Sequence, residues 1–576
     1  MPLSRRRFLA SSSVSGLAAA LPGASTVRAA DPTSVSTPPG AVTAATLSAA
    51  ETLAGLQFTA EQRASLVKSV AERAYRLAEL RTPPLPNHVF PVTTFDPRLA
   101  GIAPLAANPA IPAPKEQPPV AVRPASEEDL AFLPVTQLSA LLRSRQVTSQ
   151  ELTELALARL KRFDPAISAV VTLTEERARL KAEAADAELR AGRWRGPLHG
   201  IPWGAKDLLS VRGYPTTWGA AQFRTRVLDE DATVVRRLDA AGAVLVAKLS
   251  LGALASGDNW FGGQTKCPWN LATGSSGSSA GSCAAVSAGL VPFAIGSETL
   301  GSIVSPATRN GVTGFRPSYG RISRAGAMAL SWSMDKLGPI ARTAEDCALV
   351  FSVIHGADPA DPTAVDAAFE WPSATDLRGV RIGVPRGVFG EKEESRAADD
   401  AALAVLRQRG AELVPFDLPP APVQTLRLVL TVEAAAAFDD FTRSGDIDTL
   451  LAPRPSNWAT SLRAARYIPA VDYVQANRRR TLLIRELEET LASLEVSVWV
   501  SPPAGNPLVL TNLTGHPSVC VPTGFLPVPG AAPDSPRRTA QAMTFHARFY
   551  HDDRALTAAH AFQQATDWHR RRPPVV

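Results

Sequence analysis

Two glycine- and serine-rich stretches, GSSGSSAGS at residues 274–282 and GSETLGSI at residues 296–303, decide the fold of this chain. The first runs directly into an apolar segment that ends at Leu290, which is unusual for a flexible linker. Glycine and serine permit close backbone packing and suit the anion-binding N–H groups at the start of a helix. A third stretch, GAKDLL at residues 204–209, places Lys206 among apolar neighbours. Each stretch is a weak signal by itself, because Lys-Asp pairs are usually found on surfaces and Gly/Ser runs in linkers.

Around these stretches the chain alternates between strand-like and helix-like patterns. The expected elements are helices near 46–57, 59–81 and 149–162, a strand at 169–173, helices at 174–191 and 231–241, strands at 244–247 and 380–384, a helix near 396–409, a strand at 411–416 and a helix near 555–570. Strands that alternate with helices predict an α/β fold in which helices cover both faces of a sheet.

The 576 residues divide into three parts by composition. Residues 1–29 read as a leader, and residues 30–125 as a small helical N-terminal extension followed by a proline-rich linker. Residues 126–572 are expected to form one large α/β domain. With 45% hydrophobic and 20% charged residues, the composition is that of an ordinary globular protein.

The leader carries the pattern of an export signal. The run RRRFL at residues 5–9 resembles the twin-arginine motif, and the mildly apolar segment 9–21 is too short to span a bilayer permanently. Residues 27–29 offer small side chains at the two positions that a signal peptidase reads. The leader therefore predicts a bacterial protein exported by the twin-arginine machinery, periplasmic or secreted, without a stable membrane anchor. The alternative is a disordered basic tail.

Charge and cysteine usage exclude several other classes. Of the formal net charge of +6, four positive residues lie within the first 29 residues, so the rest of the chain offers little basic surface for nucleic acid. Arg478–Arg480 are expected on a solvated helix face, and His551–Asp553 on a surface turn. No Cys-x-x-Cys pair occurs, so neither a metal site nor a redox site is indicated. The cysteines are Cys267, Cys283, Cys347 and Cys520.

Together, the three stretches resemble the amidase signature family. That family combines a Lys-Asp pair, a Gly/Ser-rich segment and a Gly-Ser-Asp-x-Gly-Gly-Ser-Ile segment. Two of its serines are 24 positions apart, which is the spacing of Ser278 and Ser302. Further landmarks, from about residue 130 to about residue 570, are PLHGIP at 197–202, DATVVRRL at 231–238, GPIART at 338–343 and NLTGHP at 512–517. The resemblance implies a large mixed sheet between helices and hydrolysis of the C–N bond of a small-molecule or peptide amide, without an organic cofactor.

The resemblance also implies the catalytic residues. Ser302 would be the nucleophile, Ser278 the proton bridge and Lys206 the base, with a cis peptide bond between Gly277 and Ser278. Serine needs a base, and lysine is one only when burial lowers its pKa enough to make it neutral. The apolar flanks of Lys206 agree with such burial. The oxyanion would be held by backbone N–H groups of Thr299, Leu300, Gly301 and Ser302.

Four positions depart from the family pattern. Glu298 stands where the family has Asp, and Leu300 and Ala280 stand where it has Gly. Val304 replaces the Arg that often follows the nucleophile. These changes leave the three catalytic positions intact, but they argue against carrying over any recognition of a substrate carboxylate by that Arg.

A different hydrolase pattern overlaps the first stretch. Residues 277–281 spell Gly-x-Ser-x-Gly, the nucleophile elbow of α/β-hydrolases, which would make Ser279 the nucleophile. Such an elbow follows a β-strand, and residues 270–275 are not expected to form one. His355, His516 and His546 would be the available bases.

Two other functions remain open at this stage. One is the A-type component of a glutamyl-tRNA amidotransferase, which shares the fold and the triad but works in the cytoplasm with tRNA and partner subunits. The other is a non-catalytic binding protein on an amidase scaffold. Oligomeric state, including a homo-oligomer, is also left open by the sequence.

Overall fold

The computed structural model describes residues 42–80, 85–91, 93–104, 121–371, 376–390, 393–451, 458–532 and 534–575. The expected export signal at residues 1–29 lies outside these residues. The chain divides into two compact units, one up to residue 84 and one from residue 85 onward.

In chain order the helices are α1 Ala44–Ala54, α2 Ala60–Leu80, α3 Glu127–Ala131, α4 Val135–Arg143, α5 Ser149–Ile167, α6 Glu175–Arg190, α7 Thr233–Ala240, α8 Ala280–Ser287, α9 Val304–Asn310, α10 Ala344–Ile354, α11 Glu393–Gln408, α12 Val423–Leu426, α13 Leu428–Ala437, α14 Asp439–Arg443, α15 Trp458–Ala465, α16 Ala470–Ser493, α17 Asn506–Thr514 and α18 Asp552–Gln564. Short 3₁₀ turns occur at Pro97–Ala100, Ala221–Phe223, Ala253–Ala255, Asp446–Thr449 and Trp568–Arg570.

The strands are β1 Val170–Leu173, β2 Pro202–Lys206, β3 Val244–Leu249, β4 Asn259–Trp260, β5 Gly263–Gln264, β6 Lys266–Cys267, β7 Asn270–Gly274, β8 Phe293–Glu298, β9 Thr313–Arg316, β10 Lys336–Ala341, β11 Arg381–Pro385, β12 Glu412–Phe416, β13 Val498–Ser501, β14 Ser518–Pro527 and β15 Arg538–Ala547. None of the described helices is both long and apolar enough to cross a membrane.

The first unit contains α1 and α2. The hydroxyl of Thr43 caps α1 by accepting from the backbone N–H of Thr46. Glu51 on α1 and Arg63 on α2 form an ion pair at 2.8 Å, which joins the two helices. This is the small helical N-terminal part that the sequence predicts.

A large mixed sheet organises the second unit. Within the described residues its strand order is β1-β3-β2-β8-β10-β9-β14-β15-β13-β11-β12. Strands β3, β2 and β8 are mutually parallel, as are β13, β11 and β12, and the other neighbours are antiparallel. The predicted α/β fold is confirmed, and the connections between neighbouring parallel strands contain helices as that fold requires.

Both faces of the sheet carry apolar side chains, and helices pack on them. Along β3, Val244 and Val246 belong to one apolar cluster together with α5 and α8, whereas Leu245 belongs to another together with α7 and α10. Successive side chains of a strand point to opposite faces. Helices therefore cover the sheet from both sides, as predicted.

Part of the predicted linker belongs to the second unit and packs against other residues of that unit. We call residues 85–91 and 93–104 the strap, because this segment crosses the surface with only one 3₁₀ turn among its described residues. Phe95 in the strap stacks edge-on against Tyr319, with ring centroids 4.8 Å apart. The guanidinium carbon of Arg480 lies 4.2 Å from the centre of the Phe95 ring.

Three expectations about individual segments are wrong. Arg480 is buried and donates to Ser333, because the face of α16 that carries it packs against the core, while Arg478 and Arg479 are exposed. Asp552 is not on a surface turn: it begins α18, is fully buried and accepts from the backbone N–H of Ser318. Residues 270–274 do form a strand, β7, which pairs with β6 outside the large sheet.

Candidate active site

Lys206 is the last residue of β2 and lies at the carboxyl end of the parallel pair β2 and β8. Its side chain is fully buried. The Nζ atom lies 2.8 Å from Ser278 Oγ and 2.9 Å from Ser279 Oγ. It also lies 2.8 Å from the hydroxyl and 3.3 Å from the carbonyl oxygen of Ser297, the penultimate residue of β8. Because parallel neighbours end at the same edge of a sheet, the fold brings these groups together.

Burial changes the acidity of this lysine. Loss of solvent lowers the pKa of Lys206 from 10.5 to about 7, although the charges of Asp335 and Glu298 favour the protonated form. A lysine with this pKa carries a substantial neutral fraction near pH 7. The amine can therefore accept a proton, which an ordinary surface lysine cannot do at this pH.

The two serine-rich stretches meet beside this amine. The peptide bond between Gly277 and Ser278 is cis, which confirms that expectation. The backbone N–H of Ser279 donates to the carbonyl oxygen of Ser302 at 3.1 Å, which joins the two loops. Both Ser278 and Ser302 are buried. Among the described residues no hydrogen bond links the hydroxyls of Ser278 and Ser302, so the second step of the expected relay remains a prediction.

Glu298 holds the turn that carries Ser302. Its carboxylate accepts the backbone N–H groups of Ile303 and Val304 at 2.8 and 2.9 Å. It also accepts from Arg316 and from Asn512, each at 2.7 Å. Burial raises the pKa of Glu298, but the charge of Arg316 and these hydrogen bonds lower it to about 2 overall. Glutamate thus anchors the start of α9 here in place of the family's usual Asp.

The turn at 299–302 offers unused backbone donors. Within the described residues, no hydrogen bond engages the N–H groups of Leu300, Gly301 or Ser302. Gly301 has a φ of +82°, and a Cβ there would lie 2.9 Å from Ser305 Oγ. Leu300 does not have a positive φ, so a leucine fits at this departure from the family pattern without backbone strain. Unpaired donors at such a turn suit a developing negative charge on oxygen.

A second buried lysine supports the end of β2. Lys248 on β3 forms an ion pair with Asp207 at 2.6 Å, and neither side chain is exposed. Asp207 also accepts from the backbone N–H of Thr217 at 3.0 Å. Asp207 directly follows Lys206, so this pair fixes the backbone that carries the candidate base.

A cavity of about 180 Å³ opens beside the site. Its lining includes Ser297, which contacts Lys206, and Thr299, the first residue of the donor turn. Thr299 donates to Asp335 at 2.6 Å, and Asp335 also lines the cavity. Most of the remaining lining is apolar: Phe90, Leu208, Ala255, Ala325, Gly326, Ala327, Met328, Ala329, Leu330, Leu337 and Ala360, with Trp332, His88, Glu230 and Arg324.

The arrangement argues against the nucleophile elbow. The preceding strand exists, contrary to expectation, but Ser279 Oγ is enclosed: it donates to the Ser297 carbonyl at 3.1 Å and accepts from the Ser297 N–H. The three candidate histidines have other surroundings. His546 lies between the hydroxyls of Ser501 and Ser518, and the neighbours of His516 include Glu488.

Several contributing residues were missed by sequence reasoning. Ser297 contacts Lys206 through both its hydroxyl and its carbonyl, and Arg316 supports Glu298. Side chains alternate between the two faces of a strand, so Ser297 and Glu298 at the end of β8 point to opposite faces. This alternation was the feature of the sequence that could have indicated separate roles for the two residues. No cluster of three or more His, Cys, Asp or Glu that could hold a metal occurs in the part of the chain that the structure describes.

Comparisons with known proteins identify the family of the chain. A family model described as Amidase matches residues 151–512. The A subunit of the glutamyl-tRNA(Gln) amidotransferase from Roseiflexus sp. (strain RS-1) is 37% identical over 484 residues, covering 75% of this chain and 96% of that protein. Its counterpart from Halorhodospira halophila is 34% identical over 487 residues, covering 76% of this chain and 98% of that protein. The native peptide amidase structure from Stenotrophomonas maltophilia is 30% identical, with a TM-score of 0.67, and the match covers 77% of this chain and 98% of that one. The chain therefore belongs to the amidase signature family and is an enzyme that hydrolyses amide C–N bonds.

Proposed function

We propose that this amidase works through an acyl-enzyme on Ser302, with Ser278 as proton bridge and Lys206 as base. The observation that carries the proposal is the fully buried amine of Lys206, 2.8 Å from Ser278 Oγ, with its pKa lowered to about 7. Serine nucleophiles are activated by such a neighbouring base, and Ser-Lys pairs are established variants of the Ser-His-Asp arrangement.

In the first half-reaction, Ser302 Oγ forms a bond to the amide carbonyl carbon. Its proton passes to Ser278 Oγ as the Ser278 proton passes to Lys206 Nζ. The resulting oxyanion accepts hydrogen bonds from the free N–H groups of the turn at 299–302. The C–N bond then breaks, and the proton returns from Lys206 through Ser278 to the leaving nitrogen, which departs as ammonia or an amine.

In the second half-reaction, water replaces the amine. It gives its proton to the same relay and attacks the acyl carbon, and the bond to Ser302 Oγ breaks with return of that proton. The product is a carboxylic acid, and the enzyme regains its starting protonation. No step requires a metal or an organic cofactor, because the base, the bridge and the oxyanion donors all belong to this chain.

The substrate group that enters the cavity is not expected to carry a carboxylate. Val304 replaces the Arg that would face a substrate carboxylate, and it is fully buried in an apolar cluster. Arg324 lines the cavity, but its donors are already engaged. They reach Asp361, Thr363, the Tyr319 hydroxyl and the carbonyls of Trp332 and Asp335.

Substitution of the nucleophile tests the proposal. Ser302→Ala should lower kcat/KM for an amide by at least about 10⁴-fold, since the acyl-enzyme can no longer form. Ser493→Ala, on an exposed serine of α16, is the matched control and should leave activity unchanged. A serine-reactive phosphonate should label Ser302 in the wild type. Undiminished hydrolysis by Ser302→Ala, or labelling at Ser279 instead, would refute the assignment.

A second candidate is the A-type function within a glutamyl-tRNA amidotransferase. The 37% identity to such a protein over 96% of its length favours it. That function requires hydrolysis of glutamine, whose α-carboxylate and α-ammonium would have to be accommodated. The absence of an arginine at 304 argues for the simple amidase. Comparing the purified chain on L-glutamine and on uncharged amides separates the two.

We also propose that the protein is exported by the twin-arginine route to the periplasm or beyond. The support is the RRRFL run at residues 5–9, the short mild apolar segment and the cleavage-like residues 27–29. Export would separate this amidase from cytoplasmic tRNA. Cell fractionation should find the mature chain outside the inner membrane. Replacing Arg5 and Arg6 by lysine should retain the precursor inside, and unchanged export would refute the route.

A further inference from the structure

We propose that Phe90, carried by the strap, is the residue that limits the size of the substrate group in the cavity to about one six-membered ring. The inference rests on the proposed function, because it assigns the cavity to the amide substrate. The strap precedes residues 151–512, to which the family model matches, so it is an addition to the matched amidase region.

The strap is anchored on both sides of Phe90. On one side, Asn87 Oδ1 accepts the backbone N–H of Ala329 at 2.7 Å, while Asn87 Nδ2 donates to the Ala329 carbonyl at 2.9 Å. On the other side, Phe95 packs against Tyr319, and the Leu99 carbonyl accepts from Arg485 at 2.7 Å. These anchors hold Phe90 against the cavity.

Phe90 forms part of the cavity wall. It lines the same cavity as Ser297, and the guanidinium carbon of Arg324 lies 5.1 Å from its ring centre. Arg324 cannot move away freely, because its five hydrogen bonds tie it to neighbouring loops. The immobile guanidinium of Arg324 therefore forms a cation–π contact with the Phe90 ring, and this contact stabilises the position of the ring.

The volume sets the size limit. A closed apolar cavity of about 150 Å³ accepts one benzene molecule. The cavity here measures about 180 Å³, so a single ring fits in it, and a fused pair would have to extend past its walls, which include Phe90. Removing the side chain of Phe90 would join the cavity to the space that the ring fills, and a larger group would then fit.

Paired substrates test this inference and show which side of the amide enters the cavity. One pair, benzamide and 2-naphthamide, varies the acyl group. The other, acetanilide and N-(2-naphthyl)acetamide, varies the amine. Phe90→Ala should raise the ratio of kcat/KM for the larger member to that for the smaller member by at least about tenfold in one pair. Phe90→Trp should lower that ratio, and Val89→Ala, on an exposed neighbour outside the cavity lining, should leave it within about twofold.

The outcomes separate this inference from the proposed function. A selectivity ratio is insensitive to a general loss of folded enzyme, because both substrates of a pair are affected equally. Active Phe90→Ala and Phe90→Trp enzymes with ratios equal to that of Val89→Ala in both pairs would overturn the size limit alone. A wild-type enzyme that hydrolyses no amide would overturn the proposed function and this inference with it.

Discussion

The lowered pKa of Lys206 makes a quantitative prediction about the pH dependence of catalysis. With the ordinary pKa of 10.5, only about 0.03% of the lysine would be neutral at pH 7, whereas with a pKa of about 7 about half is neutral. Since the base must be neutral, kcat/KM should rise about tenfold per pH unit below pH 7 and level off above about pH 8. At pH 5 it should lie about a hundredfold below the plateau.

The assay is kcat/KM for an uncharged amide, because this parameter reports the ionisation of the free enzyme and the substrate itself does not titrate. Lys206→Arg should be nearly inactive at every pH, since a guanidinium does not lose its proton in this range. Lys206→Ala should lose about 10²- to 10⁴-fold, the usual contribution of a general base.

Other buried groups near the lysine must be separated from it. Burial raises the pKa of Asp335 and that of the Cys283 thiol, and both groups act electrostatically on Lys206. Asp335→Asn should keep a rising profile with an apparent pKa that falls, because a favourable negative charge is lost. Cys283→Ala should leave the apparent pKa unchanged, because burial keeps the Cys283 thiol protonated, and therefore uncharged, in this pH range. A flat wild-type profile between pH 5 and 8, an apparent pKa above 9, or disappearance of the rise in Asp335→Asn would refute the assignment.

Three further predictions concern the turn that carries the nucleophile. Glu298→Gln should lower the free energy of unfolding by about 3–5 kcal/mol in urea titrations, because it leaves the buried charge of Arg316 unpaired; an unchanged transition midpoint would contradict this. Gly301→Ala should lower kcat about a hundredfold or more by displacing the donor turn, while Gly530→Ala, with a φ of +74° and open space around it, should keep full kcat. Val304→Arg should lower the Tm rather than create carboxylate recognition, because the side chain would enter a fully buried apolar cluster; a stable variant that gains activity on acidic amides would show the reverse.

The sequence predicted best those features that depend on residues close together in the chain. The α/β alternation was predicted from periodicity and the cis bond before Ser278 from the family resemblance, and both are confirmed. Helix ends were less well defined. The helix expected near 149–162 continues to Ile167, and the C-terminal helix begins at Asp552 rather than near 555. Helix ends depend on caps and packing as well as on periodicity.

Predictions that required knowledge of burial were less successful. Three consecutive arginines on a helix read as a solvated face, yet Arg480 lies in the core because it meets the Leu513 carbonyl and Ser333 from distant parts of the chain. Likewise, Asp552 is buried because Ser318, more than two hundred residues earlier, donates to it. Neither partner is visible in the local pattern.

The family pattern and the positions of Lys206, Ser278 and Ser302 could be recognised from the amino-acid sequence alone, because each motif consists of residues close together in the chain. Tertiary packing sets β2 beside β8, which places the amine of Lys206 against Ser297 and removes it from water. It also decided that the strap brings Phe90 to the cavity. Both depend on packing between segments far apart in sequence, and the acidity of a buried amine is set by that packing rather than by its neighbours in the chain.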